Sequence, residues 1–123
     1  MRQHIALVDD DRSVCKGVSR LLRSAGYCTS VFASAEECLH SPDITNVDCF
    51  LLDIHLGGVS GLTLARMLRE AGIVVPVIFM TAEDESRTRD ALRDAGSPLC
   101  LGKPMDSATL LDAIADALAP GVQ

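Results

Sequence analysis

Two apolar runs in this chain end in carboxylates. Ile5-Ala6-Leu7-Val8 leads straight into Asp9, Asp10 and Asp11, and Cys49-Phe50-Leu51-Leu52 leads into Asp53. Two carboxylates about 4 Å apart repel by roughly 1 to 4 kcal/mol at dielectrics between water and a protein surface, so acids gathered at one point favour a bound cation. Magnesium is the expected ion: it is hard, prefers oxygen, and is commonly held by one or two carboxylates plus phosphate oxygens. No histidine or cysteine has the spacing of a zinc ligand set. A carboxylate beside such an ion can attack phosphorus, because the ion neutralises charge on the phosphoryl oxygens during in-line transfer. Asp53 is the expected nucleophile. An aspartyl phosphate would gain charge and strong acceptor oxygens, to which Lys103 can offer a point charge and Thr81 a hydroxyl.

The elements that must bring these groups together can be read from hydrophobic periodicity. Val14, Val18, Leu21, Leu22 and Ala25 recur at helical spacing, as do Leu64, Met67, Leu68 and Ala71, and again Leu111, Ile114, Ala115 and Leu118. Ala25-Gly26, Ala71-Gly72 and Ala95-Gly96 place glycine where a helix C-terminus turns left-handed. Ser34-Ala35-Glu36-Glu37 reads as a capping box opening a short second helix, and Asp106 or Ser107 suits the cap of the last. A strand-like segment follows each helix, so strand and helix alternate five times. That alternation predicts an α/β fold, a doubly wound, five-stranded parallel sheet with helices on both faces. Segments 5–8, 49–52 and 74–80 are continuously apolar and belong in its centre. Cys28 to Phe32 and Leu99 to Gly102 are shorter or more polar and suit the edges. Right-handed crossovers then favour the order 2-1-3-4-5, with a ligand crevice at the switch point between strands 1 and 3. Asp9, Asp10 and Asp53 end those two strands, Thr81 ends strand 4, and strand 5 runs into Lys103-Pro104.

Composition narrows the function further. A chain of 123 residues that is 48% hydrophobic accommodates one domain, expected over residues 1–119, with 120–123 as a tail or the start of a linker after Ala119-Pro120-Gly121. A formal charge of −6 and a pI near 4.8 oppose counterion-release binding to a phosphate backbone. One Tyr, three Phe and no Trp leave little for base stacking. No direct nucleic-acid binding is expected. Cys15, Cys28, Cys38, Cys49 and Cys100 form no Cys-x-x-Cys and read as small hydrophobes in a reducing compartment. With neither a signal-peptide core nor a run long enough to span a bilayer, a soluble cytoplasmic protein without membrane contact is expected.

Taken singly, several of these residues have simpler readings. Asp11 reads as a helix cap, favoured by the dipole, and a cap explains one acid of three. Thr81 alone is a strand-end turn residue, and Lys103-Pro104 alone is a turn. The mixed charges of Glu83 to Asp94 are an ordinary solvated helix face, and Arg87, Arg89 and Arg93 there can also meet an acidic partner. His4 and His40 read as surface residues. It is joint placement at four strand ends that points to a site.

Asp9-Asp10, Asp53, Thr81 and Lys103-Pro104, in this strand and helix order, resemble the receiver domain of bacterial two-component response regulators over about residues 3 to 119. The resemblance implies that Asp53 accepts a phosphoryl group from a histidine of a sensor kinase or a histidine phosphotransfer protein. It implies that Asp10, Asp53 and the backbone carbonyl of His55 bind Mg2+ directly, with Asp9 acting through a water and Mn2+ as a substitute ion. Thr81 would contact the phosphoryl group, Lys103 would pair with it, and Lys103-Pro104 would be a cis peptide. Phosphorylation would shift a two-state equilibrium and alter the face formed by the last strand and the helices flanking it, and so act on an output domain, a target protein or a homodimer. The phosphoryl group would leave by hydrolysis, tuned by His55 and Glu83. The only reaction implied is the chain's own phosphorylation and dephosphorylation.

The chain departs from the family pattern at three points. Cys100 holds the place of the usual aromatic switch residue, the loop from Ile54 to Gly61 lacks Met-Pro, and Met105 follows Lys-Pro where Phe is common. Around Ser60-Gly61 the chain is most similar to receivers attached to helix-turn-helix regulators of the nitrogen-fixation type. Three other functions compete. A phosphatase of the haloacid dehalogenase class needs a second acid where His55 stands and a threonine near Gly57. A flavodoxin-like carrier needs a Ser, Thr and Gly-rich loop where three acids stand. A docking or dimerisation receiver that is never phosphorylated has no need of the intact acids and lysine.

Overall fold

The computed structural model describes residues 2–81, 100–102 and 106–119. The described strands are β1 (His4–Val8), β2 (Cys28–Phe32), β3 (Cys49–Asp53), β4 (Val77–Thr81) and β5 (Cys100–Gly102). The described helices are α1 (Arg12–Ser24), α2 (Ala35–His40), α3 (Gly61–Glu70) and a last helix, Ser107–Leu118, with a 3-10 turn at Pro42–Asn46. The strands form one sheet in the order β2-β1-β3-β4-β5, and every neighbouring pair is parallel. This is the doubly wound order expected from the alternation.

Side chains alternate between the two faces of each strand, and each face builds its own core. Ala6, Val8, Phe50, Leu52 and Phe79 pack with Ala35 and Cys38 of α2 and Leu64 and Leu68 of α3. Ile5, Leu7, Cys49, Leu51, Ile78 and Met80 pack with Leu22 of α1 and with Leu110 and Ile114 of the last helix. Burying each of the larger side chains, Val, Leu, Ile, Phe or Met, contributes about 1.5–3 kcal/mol, which is why the fully buried stretches leading to the acids, Ile5–Val8 and Cys49–Leu52, are apolar throughout.

Local chemistry fixes the helix ends. Asp11 caps α1 by accepting from the Ser13 and Val14 N–H groups at 2.8 and 3.3 Å. Ser34 Oγ accepts from Glu37 N–H, while Glu37 Oε2 accepts from Ala33 N–H, so the capping box closes one residue earlier than the motif prescribes. Asp106, rather than Ser107, caps the last helix through Thr109 N–H. Gly26 and Gly72 adopt φ of 95° and 88°. Each closes a paired C-terminal motif, with Tyr27 N–H reaching Leu22 O and Ile73 N–H reaching Leu68 O.

Several expectations are corrected. β4 begins at Val77 rather than at 74. Val74 is 80% exposed, because 73–76 is the exit from the α3 cap and Pro76 has no N–H to give a ladder. On α3, Met67 is exposed and Ala71 lies outside the helix as its cap. In the last helix Ile114 is buried and Leu111 and Leu118 pack against the core as expected, but Leu110 is the second buried position and Ala115 is exposed. On α1 Leu22 is buried and Val18 and Leu21 pack against the same core as the periodicity predicts, while Ser19 is buried as well and Ala25 is exposed. His4 is half-buried, and its Nε2 lies 2.7 Å from Ser30 Oγ. Of the four cysteines whose surroundings are described, Cys38 and Cys49 are buried, Cys15 is half-buried and Cys28 is exposed on the edge strand.

Candidate metal centre

The register of the parallel sheet places the acids. Val8 stands opposite Leu52 and Asp53 opposite Met80, so the residues that follow β1 and the last residue of β3 come out side by side at one sheet edge. Asp9, Asp10 and Asp53 each present a carboxylate oxygen there, and these oxygens all lie within 4.8 Å of one another. Asp9 and Asp53 are 1% and 5% exposed and Asp10 is open to solvent, so the cluster is buried on the sheet side and accessible from outside.

The buried members are held from the backbone. Asp9 N–H donates to Phe32 O at 3.1 Å, continuing the ladder to β2. Its Oδ1 accepts from Asp11 N–H at 2.9 Å, and its carbonyl accepts from Cys15 Sγ at 3.2 Å. Asp53 Oδ1 accepts from His55 N–H at 3.1 Å, and the ladder runs one residue beyond β3 because Ile54 N–H donates to Met80 O at 3.0 Å. The donor set is entirely carboxylate oxygen, on rigid strand ends, with one open side. That suits a hard divalent ion which keeps several waters, and it offers none of the nitrogen or sulfur ligands a zinc site would use.

Thr81 ends β4 opposite Gly102 of β5 and is fully buried. It thus shares the sheet edge with the acids, as the strand-end pattern predicts. His55 is exposed on the loop after β3, and Asp11 is the cap of α1. Glu83, Lys103, Pro104 and Met105 lie outside the described residues, as do the expected Lys103-Pro104 cis peptide, the charged segment from Glu83 to Asp94 and the Gly96 cap. Cys100 lies in β5.

Two features near the site were not anticipated from sequence. A groove of about 730 Å³ between α1 and β2 opens beside Asp9 and Asp10, and its walls carry Arg12, Lys16 and Arg20. These cations recur at i, i+4 and i+8, a spacing that would have shown a basic helix face. The second is Gly61, the first residue of α3, which is buried directly against the Asp53 backbone.

Comparison with known proteins gives a consistent result. The family profile of the response regulator receiver domain matches residues 5–115. Nodulation protein W of Bradyrhizobium diazoefficiens is 35% identical over 112 residues, covering 89% of this chain and 48% of the relative. Response regulator protein TodT of Pseudomonas putida is 32% identical over 114 residues, covering 93% of this chain and 50% of the relative. The chain therefore spans about half the length of the curated relatives it matches. Among solved structures, a response regulator receiver protein from Burkholderia phymatum superposes with a TM-score of 0.83 at 33% identity, covering 98% of both chains. Nodulation protein W standing among these relatives accords with the kinship expected from the sequence around Ser60-Gly61.

Proposed function

The chain belongs to the response regulator receiver domain family of two-component systems, and we propose that it is a phosphoacceptor in which Asp53 takes a phosphoryl group from a phosphohistidine with the help of Mg2+. The observation that carries this reading is the convergence of Asp9, Asp10 and Asp53 to within 4.8 Å, with Asp53 itself buried and held by His55 N–H. The three aspartates, together with the His55 carbonyl, would hold the ion, and Mn2+ would substitute. When bound, the ion neutralises charge on the transferring phosphoryl oxygens.

The remaining chemistry falls to the chain. A carboxylate oxygen of Asp53 attacks phosphorus, the P–N bond to the donor imidazole breaks, and the imidazole leaves with the bonding pair. Strand β3 holds the nucleophile rigidly, which lowers the entropic part of the barrier. Thr81, at the end of the neighbouring strand, supplies a hydroxyl toward the new phosphoryl oxygens, and Lys103 supplies a cation. The added charge then biases a two-state equilibrium of the β4 and β5 edge, with Cys100 in place of an aromatic switch side chain. His55 and Glu83 tune hydrolysis of the acyl phosphate. The chain turns over no separate substrate. Its partners are a sensor histidine kinase or a histidine phosphotransfer protein on one side, and an output domain, target protein or second copy on the other. Its setting is the cytoplasm, and no helix among the described residues is long and apolar enough to cross a membrane.

Intact mass after incubation with acetyl phosphate tests the proposal. One phosphoryl adduct is expected on the wild type with Mg2+ or Mn2+, and none in EDTA or on Asp53→Asn. An adduct of equal yield on the Asn variant sinks the assignment of Asp53. No adduct on the wild type would favour a docking module.

A further inference from the structure

We propose that Gly61 is a positioning residue for the phosphoacceptor: the absence of a side chain there lets the first turn of α3 close on the Asp53–Ile54 peptide and fix where the Asp53 carboxylate points. A Cβ built at Gly61 would overlap the Asp53 carbonyl oxygen and lie 2.9 Å from the Asp53 carbonyl carbon and 3.0 Å from Ile54 Cα. All three neighbours are backbone, so no side chain can swing aside. The described glycines with positive φ are Gly26, Gly58 and Gly72. Gly61 is therefore required for space and not for conformational freedom.

Ile54, the residue that follows the nucleophile, is held through both of its backbone polar groups. Ile54 N–H donates to Met80 O on β4 at 3.0 Å, and Ile54 O accepts from Gly61 N–H at 2.9 Å. The second bond closes the loop 54–61, which carries His55, and Ile54 and Leu56 pin that loop into the core at 4% and 7% exposure. Ser60 caps α3 through Thr63 N–H at 3.2 Å, so the helix cannot simply start one residue later without losing its cap. A methyl group at residue 61 must push the peptide toward β4 or lift α3. Either movement displaces Asp53 relative to Asp9 and Asp10. Because Mg2+ demands near-ideal octahedral geometry, a small displacement acts on metal affinity and transfer rate before it acts on the fold.

The inference rests on the phosphoacceptor reading, and its test separates the two. Gly61→Ala would be compared with wild type and with Gly17→Ala, which adds a methyl to α1 with nothing within 4 Å. Mg2+ affinity would be measured by titration calorimetry and the rate of adduct formation from acetyl phosphate by intact mass, with far-UV circular dichroism reporting the fold. Folded Gly61→Ala is expected to lose about tenfold in Mg2+ affinity, in adduct rate at saturating Mg2+, or in both, since misplacement by about 1 Å can cost about a hundredfold in rate. Gly17→Ala should match wild type in both. A packing role alone would lower the melting temperature and leave both values within about twofold of wild type, and that result overturns the proposal. A Gly61→Ala chain that stays unfolded even in the Gly17→Ala background overturns it too, because Gly61 would then serve folding at large. If wild type forms no adduct, the proposed function fails, while the Mg2+ titration still decides the role of Gly61.

Discussion

Replacing the proposed nucleophile should make the metal-free protein more stable. Asp53→Asn keeps side-chain volume and an acceptor for His55 N–H but removes one of three charges whose oxygens lie within 4.8 Å of each other. At that separation each pair repels by about 1 kcal/mol in a water-like dielectric and about 3.5 kcal/mol at an effective dielectric near 20. Asp53 takes part in two of the three pairs. Its pair with buried Asp9 sits nearer the upper figure, and its pair with exposed Asp10 nearer the lower. Against this gain, the charge-assisted contacts of the Asp53 carboxylate, that of His55 N–H among them, become neutral ones, a loss of about 1 kcal/mol each. The net expectation is a stabilisation of about 2–3 kcal/mol in EDTA, or roughly 10 °C in melting temperature for a chain of this size. Magnesium must reverse the trend. At ten times its dissociation constant it adds about 1.4 kcal/mol to the wild type, and much less to a variant lacking one ligand, so the gap should narrow as Mg2+ rises. Thermal melts by circular dichroism in EDTA and over a Mg2+ series check both arms. A variant that melts below wild type in EDTA, or a gap that ignores Mg2+, would refute the claim that these carboxylates repel one another and are relieved by a cation.

Two further outcomes follow from groups away from the acids. Burial pushes the Cys49 thiol up to about 12, with the Asp48 charge adding to the effect, and pushes Cys38 up to about 11. Both thiols stay protonated in the native state at pH values where the unfolded chain ionises them. Their contribution is fully present below about pH 8.5 and is lost as pH rises through about 11 for Cys38 and about 12 for Cys49, with a limiting slope of about 1.4 kcal/mol per pH unit for each thiol. Urea midpoints between pH 8 and about 10.5 should fall more gently for Cys38→Ala with Cys49→Ala than for the wild type, and parallel curves would contradict the burial assignment. At the start of α1, Asp11→Ala removes the cap and should cost about 1 kcal/mol. The Asp11 backbone N–H that binds Asp9 Oδ1 remains, so adduct yield on Asp53 should not change, and a parallel loss of phosphorylation would mean that Asp11 belongs to the metal site.

The legible part of this molecule is the part decided by solvent exclusion along one strand. An unbroken apolar run such as Ile5 to Val8 has to be buried on both faces, a parallel sheet is the architecture that does this, and the first acid after the run must then emerge at the sheet edge. The meeting of Asp9, Asp10 and Asp53 follows from that pattern, and their proximity requires only that Val8 and Leu52 be in register. Helix faces were less legible, because a stripe of apolar residues is wider than the surface it covers. The last helix turns Leu110 inward and leaves Ala115 outside, although both are apolar. The exit from α3 is ambiguous for a related reason: Val74 and Val75 look like strand, but Pro76 and the Gly72 cap commit them to a connection. A further signal is legible at Ser41-Pro42-Asp43, where a capping serine before a proline opens the 3-10 turn, with Ser41 Oγ accepting from Asp43 N–H at 3.2 Å.

Gly61 belongs to a different category. Gly26 and Gly72 announce themselves at the ends of apolar helices, because the property they supply, a positive φ, is local. Gly61 supplies an absence of volume, and that absence has meaning only once a specific peptide, Asp53–Ile54, is known to pass beneath it. Nothing in the spacing of residues 53 and 61 encodes this contact. Strand ends decide which acids meet, while the close approach of a neighbouring helix decides how well they are aimed. The first follows from hydrophobic patterning in one chain segment, and the second emerges only when two segments are packed.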